Sequence, residues 1–97
     1  MDIPDEIIHQ SMRLRIVATL NTLESGELLE FGTLKSLLQA TDGNLATHLS
    51  VLEKAGYILI EKDFVGKKPR TRIGLTHGGR KAFDRHVAYL RNLLAEG

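Results

Sequence analysis

Cysteine is absent, which excludes disulfides, thiolate metal sites and a thiol nucleophile. No apolar run approaches the ~20 residues of a membrane-spanning helix. The opening MDIPDEIIHQ lacks the charged, apolar and small-residue succession of a secretory leader, so the expected location is cytoplasmic, with no membrane partner. The glycines make no phosphate-binding loop: residues 66–70, GKKPR, lack the spacing, and His77-Gly78-Gly79 stands alone. No Ser/His/Asp set is placed by a recognisable nucleophile elbow. The four histidines, His9, His48, His77 and His86, include no pair at the i, i+4 spacing that grips a metal. No enzyme, cofactor or metal site is expected.

What is present fits one small domain, residues 1–97. Its 42% hydrophobic and 26% charged residues are ordinary for a globular chain with a single modest core. The net charge of +1 hides an asymmetry: residues 1–61 hold four Lys/Arg against nine Asp/Glu, and residues 62–97 hold nine against three. A polyanion would therefore meet the side built from the C-terminal third.

The most informative stretch is residues 41–56, TDGNLATHLSVLEKAG. Leu45, Leu49 and Leu52 recur at i, i+4 and i+7 and place one apolar stripe on a helix. The opposite face carries Asn44, Ala46, Thr47, Ser50, Val51 and Lys54. Thr41 or Asp42 can cap the start and Gly56 the end. Short side chains on such a face allow close approach to base edges in a DNA major groove; an ordinary amphipathic surface helix is the alternative.

Around that stretch, Pro4, Asp5 and Glu6 suit a helix start, and the stripe Met12, Ile16, Leu20, Leu23 predicts a helix over residues 4–24, with a break near Gln10-Ser11. Ser25-Gly26 ends it. Phe31 is expected in the core or in a minimal strand. Thr33 can cap a second, short helix ending near Ala40, whose Leu34, Leu37 and Leu38 point inward. Residues 33–56 then have the dimensions of a helix-turn-helix. Residues 57–60 read as a strand, residues 64–69 as a turn, and residues 70–75 as a second strand with Thr71, Ile73 and Leu75 on one face and Arg70 and Arg72 on the other. The hairpin tip, residues 62–72, is basic, with Lys62, Lys67, Lys68, Arg70 and Arg72 opposed only by Asp63. Thr76 can cap a last helix, residues 77–95, in which Gly78-Gly79 has no account from sequence. Phe83, Val87, Leu90 and Leu94 line one stripe of that helix. It is longer than a small core needs, so this stripe is expected to form a homodimer interface; folding back on the chain's own core is the alternative.

The order α-α-α-β-wing-β-α is that of a winged helix-turn-helix, a mainly α fold with a small β-hairpin. DGNLATHLSVLEKAGYI resembles the recognition region of small MarR-type and ArsR-type transcriptional regulators. Arg13-Leu14-Arg15-Ile16, Pro69-Arg70-Thr71, and Leu75-Thr76 with Gly79-Arg80 resemble their first helix, wing and last helix. The resemblance covers nearly the whole chain and implies a homodimer, usually a repressor, on a roughly palindromic operator of double-stranded DNA. It implies a recognition helix at residues 43–55 with Asn44, Ala46 and Thr47 meeting base edges, and Ser50 and Lys54 meeting phosphate. It places Lys67, Lys68, Arg70 and Arg72 along the backbone or in the minor groove. His48 reaches phosphate in this reading; a partly buried structural histidine is the other. Asp84-x-His86 resembles half of an ArsR interfacial zinc site, but the matching ligands would fall beyond Gly97, so metal sensing is not expected. Nothing in the sequence assigns an effector. The rival function is a winged helix that docks a protein instead of DNA, which has no need of a basic wing.

Overall fold

Asp5 decides how the chain begins. In the computed structural model, which describes residues 4–96, Asp5 Oδ1 accepts from the backbone N–H groups of Ile7 (2.9 Å) and Ile8 (3.1 Å), and Oδ2 accepts from the Tyr57 hydroxyl at 2.7 Å. These bonds close a single turn over residues 5–9 instead of starting a long helix. Gln10 is extended (ψ 132°), and its side chain accepts from Arg13 N–H at 2.9 Å, capping α1 (Ser11–Leu20). The helix expected over residues 4–24 is therefore shorter at both ends. At its far end Thr22 and Leu23 donate to carbonyls three residues back, tightening the chain out of α geometry. Arg80 holds that exit by donating to the carbonyls of Asn21 (3.3 Å) and Leu23 (3.3 Å) and to Asn21 Oδ1 (3.0 Å). The expected domain range, residues 1–97, also includes residues 1–3 and 97, which lie outside the described residues.

The remaining elements are β1 (Leu29–Glu30), α2 (Phe31–Leu38), α3 (Asp42–Lys54), β2 (Ile58–Val65), β3 (Lys68–Leu75) and α4 (His77–Glu96). The result is a mainly helical fold with a small open sheet of winged helix-turn-helix topology. The second helix starts at Phe31, not behind a Thr33 cap, because β1 pairs with β3 (Leu29↔Ile73, Glu30↔Arg72) and the chain turns straight from that ladder into the helix. Both helices of the helix-turn-helix end in the same way. At the end of α3 the N–H of Gly56 bonds Glu53 O and that of Tyr57 bonds Leu52 O; at the end of α2, Gln39 bonds Ser36 O and Ala40 bonds Lys35 O. The motif needs a left-handed residue. Gly56 supplies it in one case (φ +80°), and Gln39, a residue with a Cβ, in the other (φ 53°).

The core lies where α1 meets the other helices and the sheet. Ile16, Val17 and Leu20 pack with Leu34 and Leu38 of α2, Leu45, Leu49 and Leu52 of α3, and Ile58 and Ile73 of the sheet; Ile8 is also sealed inside. Fully burying each such side chain contributes about 1.5–3 kcal/mol. Helix α4 joins only by its first half, through Gly79, Ala82 and His86. His86 is buried beside His9 and stacked on Tyr89 (centroids 5.8 Å apart in each case). Burial, with the neighbouring His9 adding to it, pushes its pKa below 6.5. The stability gained from seating the neutral ring is thus complete above pH 6.5 and declines as the pH falls below that value.

The two glycines opening α4 have different roles. A Cβ on Gly79 would run into the Tyr57 carbonyl oxygen and Leu75, whereas on Gly78 it would sit 3.6 Å from Gly56 O in ordinary contact. Gly79→Ala is expected to destabilise the fold by about 3 kcal/mol or more through backbone overpacking. Gly78→Ala should be neutral or add up to about 1 kcal/mol from helix propensity. Urea unfolding of the two variants measures the contrast.

Candidate nucleic-acid interface

The buried leucines of α3 fix its rotation, and the opposite face is thereby left in solvent. Asn44, Ala46, Thr47, Ser50 and Lys54 are exposed; His48 and Val51 are half-buried at its margins. Thr41 Oγ1 accepts from Asn44 N–H at 3.2 Å, so the helix start is capped as the sequence predicts. Lys35 of α2 pairs with Asp42 in the first turn at 2.6 Å, which partly offsets the carboxylate charge at that end of the helix. Thr47 donates its hydroxyl proton to Gly43 O at 2.9 Å and so offers outward only an acceptor.

His48 is not free. Its Nδ1 lies 3.2 Å from Arg13 Nη1, and Arg13 Nε donates to Ile7 O at 2.6 Å. Because arginine can only donate, Nδ1 must accept, and the ring proton sits on Nε2. Partial burial, then the Arg13 charge, lowers the His48 pKa. Arg13 thus braces α3 against the N-terminal turn. Arg15 has a comparable structural task, donating to Leu38 O at the end of α2 at 3.1 Å. Neither role is visible from charge pattern alone.

The hairpin uses its arginines and its lysines differently. Residues paired across the strands share a face, so Ile58↔Leu75, Ile60↔Ile73, Lys62↔Thr71 and Phe64↔Pro69 lie on one side, and Leu59↔Gly74, Glu61↔Arg72, Asp63↔Arg70 and Val65↔Lys68 on the other. On that second side Arg70 grips Asp63 with two bonds (2.9 and 2.6 Å), and Arg72 reaches Glu61 at 2.7 Å and Asp63 at 3.5 Å. The Arg70 bond holds the Asp63 carboxyl below the usual carboxylate value and, reciprocally, raises the Arg70 pKa. The sequence expectation of a tip opposed only by Asp63 is corrected here: Glu61 also faces the arginines, and both guanidiniums are engaged. Lys62, Lys67 and Lys68 are exposed and have no ion-pair partner among the described residues. Gly66 forms the turn between the strands with φ +63°.

Between α3 and the first face of the hairpin runs an open groove of about 400 Å³, lined on one wall by Ala46, Leu49, Ser50 and Glu53 and on the other by Ile60, Lys62 and Thr71, with Phe31 beside them. It sets the exposed side of α3 and the Lys62-bearing face of the hairpin against each other. Of the residues expected at a dimer interface, Phe83 packs on the chain's own core, Val87 and Leu90 are half-buried, and Leu94 is 80% exposed; Leu93 beside it is exposed as well. Among the described residues no three His, Asp or Glu side chains converge as a metal site, and no helix is long and apolar enough to cross a membrane.

A helix-turn-helix whose second helix is exposed along one face, with a hairpin wing beside it, defines a winged-helix domain. Residues 12–94 match the winged helix DNA-binding domain family, and the chain belongs to that family. The chain is similar to an uncharacterized protein of Methanocaldococcus jannaschii, at 37% identity over 82 residues, which is 84% of this chain and 86% of that protein. It is also similar to a solved structure described as that of a transcriptional regulator homologue protein from Pyrococcus horikoshii OT3. That similarity has a TM-score of 0.84 at 26% identity and covers 95% of this chain and 88% of that one.

NMR titration of the histidine rings tests the Arg13 brace. His48 is expected to titrate below 6.5 in the native protein. In Arg13→Met it should move up toward that value, stopping short because burial remains. An unchanged His48 pKa would show that Arg13 contributes nothing to it.

Proposed function

We propose that this chain is a sequence-specific transcriptional regulator acting as a homodimeric repressor on double-stranded DNA. The observation that carries the reading is the pairing of an exposed face of small and polar residues on α3 with three lysines on the adjoining hairpin that have no ion-pair partner among the described residues. Asn44 opens the helix and can pair bidentately with adenine, while Ala46 and Thr47 suit contact with a thymine methyl. Ser50 and Lys54, further along, suit phosphate oxygens, and the Nε2–H of His48 can donate to one. On the wing, phosphate contact falls to Lys62, Lys67 and Lys68. Arg70 and Arg72 hold the hairpin in shape through Asp63 and Glu61. The exposed end of α4, with Leu94 and Leu93, is the surface offered to a second copy, with Val87 and Leu90 at its margin. Two-fold symmetry then sets recognition helices about 34–36 Å apart, in successive major grooves. Repression follows from occlusion of the site.

Fluorescence anisotropy with random-sequence duplex, at about 50, 100 and 200 mM salt, tests the reading first. A dimer using both wings should give a log–log slope of at least about −4. A folded dimer that binds no duplex at the lowest salt would sink the proposal and leave a protein-docking module. With a selected operator, Asn44→Ala should cost about 1–3 kcal/mol and relax base preference at one position per half-site. Replacing Lys67 and Lys68 by alanine should weaken all sequences alike and flatten the slope by about 2 per protomer.

A further inference from the structure

The tip of the wing carries an apolar group that charge neutralisation does not require. Phe64 is 70% exposed, two residues before the Gly66 turn, and is paired across the hairpin with Pro69, which is also exposed. An isolated phenyl ring held in water by a rigid β-ladder gains from any apolar or aromatic surface it can enter. The pleat fixes which way it faces. Lys62 and Thr71, on the same face one step nearer the core, line the groove against Ala46 and Ser50 of α3. Phe64 follows Lys62 by about 7 Å along the strand. It therefore stands on the side from which α3 would read DNA, with Lys62 on the same face, Lys67 at the turn and Lys68 just across the strand, and these exposed cations at the tip make a polyanion the fitting partner. Val65, also exposed, is on the opposite face beside Lys68.

We propose that Phe64 is a minor-groove wedge. With α3 in the major groove, the wing reaches the adjacent minor groove, and the Phe64 ring enters between two base pairs, unstacking them and bending the duplex toward the major groove. The lysines hold the flanking phosphates close enough for insertion. Pyrimidine–purine steps such as TA and CA unstack most easily, so the wing selects such a step at a fixed distance from the bases read by α3 without a hydrogen bond to either pair. This inference rests on the DNA-binding reading above and adds to it a specificity-determining residue.

The test uses the intact chain and duplexes of about 24 base pairs, end-labelled for energy transfer, either fully paired or carrying one central mismatched pair that is already partly unstacked. The native protein should raise energy transfer on the paired duplex and bind the mismatched one about tenfold tighter, since unstacking has been partly removed from the cost. Phe64→Ala should lose both effects while keeping its salt slope, and Phe64→Leu should retain part of each, as another apolar wedge. Val65→Ala, on the other face, should behave as native. Native protein that binds with the expected salt slope but neither bends the duplex nor prefers the mismatch overturns the wedge and leaves DNA binding intact. A Phe64→Ala variant equal to native in both assays overturns it too. Absence of any duplex binding removes the DNA-binding reading, and the wedge with it.

Discussion

The arrangement of this domain depends on one close approach, that of the first turn of α4 to the backbone of Tyr57. Thr76 N–H donates to Tyr57 O at 3.1 Å, Thr76 Oγ1 donates to Gly56 O at 2.7 Å and accepts from Gly79 N–H at 2.9 Å, and Gly79 lies against the same Tyr57 carbonyl. The end of α3, the start of the hairpin and the start of α4 are therefore joined within a few residues. Tyr57 extends the junction to the N-terminal turn through its hydroxyl bond to Asp5. Burial alone would raise the Asp5 carboxyl, but bonds from Tyr57, Ile8 and Ile7 outweigh it and keep its pKa below the usual value. The carboxylate's contribution is thus complete above its unfolded pKa of 3.8 and is lost as the pH falls through the lower folded value.

A second theme is the separation of two cation chemistries. Arg13, Arg15, Arg80, Arg70 and Arg72 each spend their guanidinium on carbonyls, a histidine nitrogen or a carboxylate within the chain. A planar fork that makes several directed bonds at once suits closing helix ends and strand pairs. The wing lysines, compact charges on flexible stems, remain in water. A count of basic residues cannot distinguish these uses, and it overstates the charge that the hairpin presents to solvent.

This difference also explains what could be read in advance. The leucine stripe of α3, the Thr41 and Thr76 caps and the basic hairpin were legible because each is a local pattern with a fixed period or spacing. The break expected near Gln10-Ser11 is where α1 begins, but the residues before it form only a turn, because Asp5 and Glu6 favour a helix start equally well whether or not a helix follows. What stops it, the Asp5 turn locked by Tyr57, involves a residue 52 positions away. The same holds for Gly79, which nothing nearby in sequence distinguishes from Gly78 and which only the tertiary contact with Tyr57 O explains. Glu61 was missed as a partner of Arg72 because their pairing follows from strand register, fixed at the far turn. For the site, the exposed residues of α3 lie where the stripe implied, while the arginine assignments on the wing needed the third dimension.

Register has one more consequence. Side chains on a strand alternate strictly, so the face of Lys62 and Phe64 and the ion-paired face of the hairpin differ by a single residue of phase. In β2 that phase is set by Ile58 and Ile60, which are seated in or against the core. Inserting one neutral residue after Ile60 would leave both isoleucines seated and composition and net charge almost unchanged. It would nevertheless turn Glu61 and Asp63 toward the groove side and Lys62 and Phe64 away from it. What the wing presents is therefore decided by the count of residues from its core-seated end to its tip.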